Sequence, residues 1–178
     1  MVHSDLKPEN IMLSFPDLKV KIIDFGSSFL LKHALTKLSV TTPEYLAPEV
    51  LAHLDSSLIK ELPILHPWSI DVWSLGCILL EMVTGIPLWL SYKARIASDS
   101  PTPCTTGLFG VQGRLTSKIY LKQLSTVANL RKVLKTKHCC IGRLNTSDKF
   151  LDLLSRMLDP VPTQRISPTE ILCHPFLA

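Results

Sequence analysis

The sequence predicts a mainly α-helical fold with one small β-hairpin near its start, and three observations carry that expectation. From Ser69 to Val83 the chain is apolar nearly all round, with only Asp71 and Glu81 charged. A helix of that pattern is buried on all sides. Between Ser117 and Lys137, the residues Ile119, Leu124, Val127, Leu130 and Leu134 fall near helical spacing with lysines on the other face, and Leu151 to Leu158 is again amphipathic. Ile11 to Leu13 and Val20 to Ile23 are apolar or β-branched runs separated by the turn-rich cluster Ser14-Phe15-Pro16-Asp17, which reads as a hairpin.

Composition narrows the function classes. At 178 residues and 46% hydrophobic content, the chain can bury a real core as one domain or part of one. Its five cysteines (Cys77, Cys104, Cys139, Cys140, Cys173) are odd in number and form no C-x-x-C pair. Reduced thiols in the cytoplasm or nucleus are the expectation. The start carries no basic, apolar leader pattern, and the longest apolar run, Leu75 to Leu80, is far below the roughly 20 residues of a membrane helix. No membrane association is expected. Net charge is +4, and the basic cluster Arg131, Lys132, Lys135, Lys137 has no aromatic platform beside it. It reads as the solvated face of a helix or a docking patch rather than a nucleic-acid surface.

Taken in order, the chain opens on a polar loop, His3-Ser4-Asp5-Leu6-Lys7-Pro8-Glu9-Asn10, that runs straight into the first strand. Asp5 and Asn10 are a proton acceptor and a metal-capable amide, with the Lys7 ammonium between them. Phosphoryl transfer needs a carboxylate to orient a hydroxyl, a cation for the γ-phosphate and an oxygen ligand for Mg²⁺. Taken singly, Asp5 reads better as a helix or turn cap and Lys7 as a solvated lysine. Lys19 and Lys21 alternate with Val20 and Ile22, as in a half-buried strand. That strand leads to Asp24-Phe25-Gly26, where a carboxylate at a strand end meets a glycine-released turn. The hairpin thereby sets Asn10 and Asp24 side by side. Residues 27–42 are rich in Ser and Thr without a sustained period. Residues 52–67 read as a loop with room for a short helix, and 88–113 as a loop. Ser69 is the expected N-cap of the buried helix, which Gly85 and Pro87 end. Asp159-Pro160 stops the helix at Leu151 to Leu158, and Ser167 with Pro168 starts the last one.

These motifs, in this order, resemble the protein kinase superfamily. The loop at His3 is similar to the kinase catalytic loop H-R-D-L-x-x-x-N, with Ser4 where the Arg belongs; Asp24-Phe25-Gly26 resembles D-F-G, and Ala47-Pro48-Glu49 resembles A-P-E. The helix at Asp71 resembles the central helix of the kinase C-terminal lobe, whose Asp hydrogen-bonds the catalytic-loop backbone. Lys7-Pro8-Glu9 looks like the Ser/Thr-specific version. The small residue at Ser4 and the string through Ile23-Asp24-Phe25-Gly26-Ser27-Ser28 are similar to the dual-specificity tyrosine-regulated and homeodomain-interacting kinases, although Thr42-Pro43-Glu44-Tyr45 departs from them.

The resemblance implies a kinase-like C-terminal lobe with its hairpin at the catalytic site, residues 1–178 forming a partial kinase domain with an atypical insert at 88–145. It implies ATP and Mg²⁺ as cofactors and a protein substrate with a Ser or Thr hydroxyl. Asp5 would accept or orient the hydroxyl proton, Lys7 neutralise the γ-phosphate, and Asn10 and Asp24 hold Mg²⁺. Thr42 would fix Asp5 and Lys7, Met12 would lie beneath adenine, and Glu49 and Arg165 would form a buried ion pair. His3 and Phe25 are expected as packing residues. The Gly-rich loop, strand Lys and helix Glu of an N-terminal lobe are absent from the sequence. The chain is therefore expected to be inactive alone, to work with a missing N-terminal lobe or partner chain, and to expose apolar surface on one side of the Asp71 helix. The alternative is a non-catalytic, pseudokinase-like binding or regulatory module. Because Ser4 replaces the Arg that grips an activation-loop phosphate, activity is expected not to depend on Thr36, Ser39 or Thr41.

Overall fold

In the computed structural model, the buried helix of the sequence becomes the post around which the other elements are arranged. The structure describes residues 1–30, 42–54, 66–85, 88, 108–136 and 147–177, with backbone alone at 54, 108–116 and 136. The strands are β1 (Ile11–Ser14) and β2 (Lys19–Ile22). The helices are α1 (Pro48–Leu54), α2 (Trp68–Thr84), α3 (Leu108–Ala128), α4 (Leu130–Thr136), α5 (Asp148–Met157) and α6 (Pro168–Leu172). The segment carrying Thr36, Ser39 and Thr41 lies outside the described residues, as do Cys104, Cys139, Cys140, Lys137 and much of 88–145. Neither Cys77 nor Cys173 is in a disulfide.

Helix α2 buries Ile70, Trp73, Cys77, Ile78, Leu80 and Val83 in the main core, together with Val2, Leu6, Phe29, Tyr45 to Ala47, Val50 and Leu51. Each large apolar side chain so buried contributes about 1.5–3 kcal/mol. The helix ends where Gly85 adopts φ 74°, its N–H bonding the Glu81 carbonyl at 2.7 Å, a left-handed stop that suits glycine. Its start differs from expectation. Pro67 holds the cap position, and Ser69 lies in the first turn with its hydroxyl 3.4 Å from Glu49 Oε1. A buried carboxylate has recruited the hydroxyl that sequence logic assigned to a cap. The stripe Asp71, Leu75, Leu79 is only half-buried and Met82 is exposed, so one side of α2 is less covered than the rest, as expected.

Helix α5 packs across α2 at Gly76. A Cβ there would come within 2.9 Å of Leu158 Cδ2 and 3.2 Å of Met157 Cβ. Gly76→Ala therefore crowds the contact at a cost of about 1–3 kcal/mol, against a helix-propensity gain of about 1 kcal/mol. Denaturant titration is expected to show a net loss of stability, and a gain would mean that α5 yields freely. Ser147 caps α5 and Ser167 caps α6, the latter in a reciprocal capping box with Glu170 and with Pro168 in the first turn, as expected. The buried His174 holds α6's exit to α5 through Asp152 Oδ2, 2.9 Å away. That bond, then Arg156, keeps the Asp152 carboxyl below the usual range. A depressed carboxyl adds stability that is present above its unfolded-state value near pH 4 and lost as pH falls through the folded value. Asp152 is half exposed, so solvent screening limits the term to less than about 1 kcal/mol. Asp152→Asn is expected to flatten the stability profile below about pH 4 by that amount; an unchanged acid limb would remove the role.

Two further expectations need correction. Strand β2 is exposed along its whole length, with Val20 at 65% and Ile22 at 47%, so it is not half-buried, and Phe25 at 48% is not a core residue. Among the described residues nothing covers β2. The predicted single helix over 117–137 begins earlier, within the expected loop, and breaks at Asn129. There the Asn129 N–H bonds Thr126 O and its amide bonds Ser125 O, so α3 closes and α4 begins. Arg131, Lys132 and Lys135 are solvated as expected, with Arg131 pairing with the exposed Asp148 at 2.9 Å.

Candidate active site

The polar loop is fixed from both ends. Val2 and Phe29 exchange backbone hydrogen bonds at 2.8 and 3.0 Å, which ties the entry of the loop to the exit of the hairpin. Asp71, in the first turn of α2, accepts the N–H of His3 at 2.7 Å and of Ser4 at 2.9 Å. Burial pushes its carboxyl up, and the two backbone donors pull against that. Ser4 has φ 70°, a left-handed conformation that L residues other than Asn, Asp and Gly seldom adopt. Asp71 thus holds a turn whose backbone is not at its local minimum. The His3 ring lies behind the loop, as expected, edge-on to Phe25 at 5.0 Å. Its Nδ1 accepts from the Asp5 N–H at 3.3 Å and its Nε2 faces the Ile23 carbonyl at 3.0 Å, a pair of contacts that suits the tautomer protonated at Nε2.

At the front of the loop three predicted residues meet. Lys7 Nζ donates to Asp5 Oδ2 at 2.9 Å and to Thr42 Oγ1 at 3.1 Å, and Thr42 Oγ1 donates to Asp5 Oδ1 at 2.8 Å. The hydrogen bond to Asp5 raises the Lys7 pKa, so the ammonium stays charged. Asn10 is buried, and its amide nitrogen donates to the Asp5 carbonyl at 2.9 Å. Its Oδ1 is then the atom left for a cation. The register Ile11 to Ile22, continued by Ile23 N–H to Asn10 O at 3.0 Å, puts Asp24 one residue past Asn10's backbone partner. Asp24 takes the left-handed conformation at φ 61°, with Oδ1 accepting from Gly26 N at 3.3 Å. A Cβ at Gly26 would sit 3.2 Å from that oxygen, so glycine keeps the carboxylate uncrowded. Met12 lies on β1, half exposed beside this group.

The donor set fits the cofactor implied by the resemblance. Mg²⁺ prefers hard oxygen ligands and uses one or two carboxylates with substrate phosphates rather than an all-protein cage. An amide oxygen, one uncrowded carboxylate and a charged lysine meet that need. Among the described residues no group of three His, Cys, Asp or Glu side chains is placed to hold a metal, and none is required for such a site.

Behind the cluster runs the segment Thr42 to Glu49. Pro43–Tyr45 forms a 3₁₀ turn, the Tyr45 carbonyl lies 2.8 Å from Ser74 Oγ, and the Leu46 carbonyl accepts from Gln123 Nε2 at 2.8 Å. The Tyr45 hydroxyl donates to Glu81 Oε2, and burial with that carboxylate drives the phenol well above its usual range. Glu49 meets Arg165 as expected: Nη1 to Oε1 is 2.7 Å and Nη2 to Oε2 is 3.0 Å, with both side chains fully buried. Sequence reasoning missed Ser74, Glu81 and Gln123. The one available signal was Gln123's place on the buried stripe, four residues from both Ile119 and Val127.

Comparison with known proteins agrees with this geometry. The protein kinase domain family matches residues 1–177. Similar relatives include the serine/threonine-protein kinase ppk5 of Schizosaccharomyces pombe, 33% identical over 99% of this chain and 21% of its own length. Mouse homeodomain-interacting protein kinase 2 is 29% identical over 99% of this chain and 17% of its own length. A putative mitogen-activated protein kinase 14C of Drosophila melanogaster is 32% identical over 99% of this chain and 46% of its own length. The chain thus spans between about a sixth and a half of the length of these relatives. No described helix is long and apolar enough to cross a membrane. With the family model matching nearly the whole chain, this protein belongs to the protein kinase family and resembles its serine/threonine-specific enzymes.

Proposed function

We propose that the chain is the C-terminal, substrate-side lobe of a protein serine/threonine kinase, part of a kinase domain with an insert over 88–145, working in the cytoplasm or nucleus. The observation that carries this reading is the closed Asp5–Lys7–Thr42 cluster beside Asn10 and Asp24. Mg-ATP supplies the transferable phosphoryl group and the charge-neutralising cation. Asp5, held by Thr42 and Lys7 on its two oxygens, orients the substrate hydroxyl and takes its proton. Lys7 neutralises charge on the γ-phosphate. Asn10 Oδ1 and the Asp24 carboxylate would hold Mg²⁺, and Met12 would line the adenine side of the site. The exposed apolar side chains Met12, Val20, Ile22 and Phe25 support a second body, an N-terminal lobe or partner chain, over the hairpin. The same exposed hairpin also suits a non-catalytic, pseudokinase-like binding module.

The test is incubation of the full-length protein with radiolabelled ATP, Mg²⁺ and dephosphorylated casein. Label on serine or threonine that disappears with EDTA is expected. A folded full-length protein that transfers nothing, yet captures a partner through the hairpin, would overturn catalysis in favour of the binding module.

A further inference from the structure

We propose that Gln123 is a positioning residue for the substrate loop 42–47, fastening helix α3 to the wall of the proposed catalytic site. The proposal rests on the kinase reading above. On α3, Ile119, Tyr120 and Gln123 all enter the core, and Gln123 is 0% exposed. Its Nε2 donates to the Leu46 carbonyl at 2.8 Å, while its Oε1 has no hydrogen-bond partner among the described residues. An orphaned buried acceptor is unfavourable, and an apolar side chain at 123 would avoid it. The amide provides what an apolar side chain cannot: the bond to Leu46.

That bond sits where it controls the loop. Leu46 is the hinge between the 3₁₀ turn Pro43–Tyr45 and helix α1. On the turn side, the Tyr45 N–H bonds Thr42 O at 3.1 Å, and Thr42 reaches Asp5 and Lys7. On the helix side, Val50 and Leu51 N–H groups both reach Ala47 O at 3.0 Å. Two successive carbonyls are thus gripped by two different helices, Tyr45 by Ser74 of α2 and Leu46 by Gln123 of α3. Neither peptide plane can rotate without breaking a buried bond. The loop wall that a protein substrate meets is therefore held from behind by α2 and α3 together, and Gln123 is the contribution of α3.

The test is Gln123→Met, which keeps the length and apolar stem and removes the amide, in the full-length protein. With casein as substrate, KM for casein is expected to rise about tenfold while kcat and KM for ATP stay within about threefold, the signature of lost substrate binding alone. Hydrogen exchange gives a readout independent of transfer. Amides of 42–47 are expected to exchange at least about tenfold faster, with those of α5 unchanged. Unchanged exchange in 42–47, or equal acceleration in α5, overturns the proposal by showing either no grip or a merely structural one. Equal movement of both KM values overturns it likewise. If the wild-type protein transfers no phosphate, the kinase reading fails separately, and the exchange pattern alone decides whether Gln123 holds the loop.

Discussion

Asp5→Asn is expected to lower phosphoryl transfer by the full-length protein by about 10²–10⁴-fold, the usual worth of a positioned general base. The substitution keeps the shape and leaves an acceptor for the Thr42 hydroxyl, which lies 2.8 Å from Oδ1. It removes the one group in the cluster able to take a proton, and the charge that faces Lys7 Nζ at 2.9 Å. Since the bond to Asp5 is the largest cause raising the Lys7 pKa, that pKa should fall back in the variant. It remains far above neutrality, so Lys7 stays charged and its phosphate contact survives. The loss should therefore appear in kcat, with KM for ATP little changed. The loop itself should persist, because Asp71 grips it through the backbone of His3 and Ser4 and not through Asp5. Single-turnover kinetics checks this: an Asn variant within about threefold of wild type would remove Asp5 from the proton's path.

How much of this was legible in the sequence follows from the range over which each residue acts. The Asp5, Lys7, Asn10 set lies within one short loop, so its chemistry could be read from local order, and the hairpin register needed only two apolar runs and a turn. The contacts of Thr42 with Asp5 and of Glu49 with Arg165 span 37 and 116 positions. Spacing alone could not supply them; they came from resemblance to a family in which these positions meet. What failed was set by tertiary surroundings. Alternation in β2 signals a buried face only if something covers it, and none of the described residues does. Ser69 has the right side chain for a cap, but a buried Glu49 claimed it. The break at Asn129 arises because an Asn side chain can return to a carbonyl four residues back, a local option that competes with the helix. Gln123 was hidden because a polar residue on an apolar stripe gains meaning only from the carbonyl it faces.

Arg165→Met should cost about 3–5 kcal/mol, because it strands the Glu49 carboxylate, fully buried, without its counter-charge. The guanidinium is unusually committed. Nε donates to Asp159 O at 3.0 Å, Nη1 to Glu49 Oε1 at 2.7 Å and Ser69 O at 2.8 Å, Nη2 to Glu49 Oε2 at 3.0 Å, and its carbon stands 5.1 Å over the Trp73 ring. Methionine fills much of the volume but satisfies none of these acceptors. For a chain of this length the loss corresponds to a fall in Tm of about 6–20 °C, measurable by calorimetry. The pair's own worth is a different quantity, since two charges were desolvated to form it. Adding Glu49→Gln or Glu49→Leu to Arg165→Met removes the stranded charge, so the double variants should be more stable than Arg165→Met alone. Strict additivity of the single losses would mean that the carboxylate finds water or another donor when the arginine is gone. Recovery of stability in the double variant should not restore transfer to casein in full, because Glu49 lies in the first turn of α1, just after the substrate loop, and the pair anchors that end of the loop to the segment after α5. Stability and substrate positioning then separate in one set of variants: the first depends on leaving no charge stranded, the second on keeping the arginine's grip on the Glu49 end of the loop.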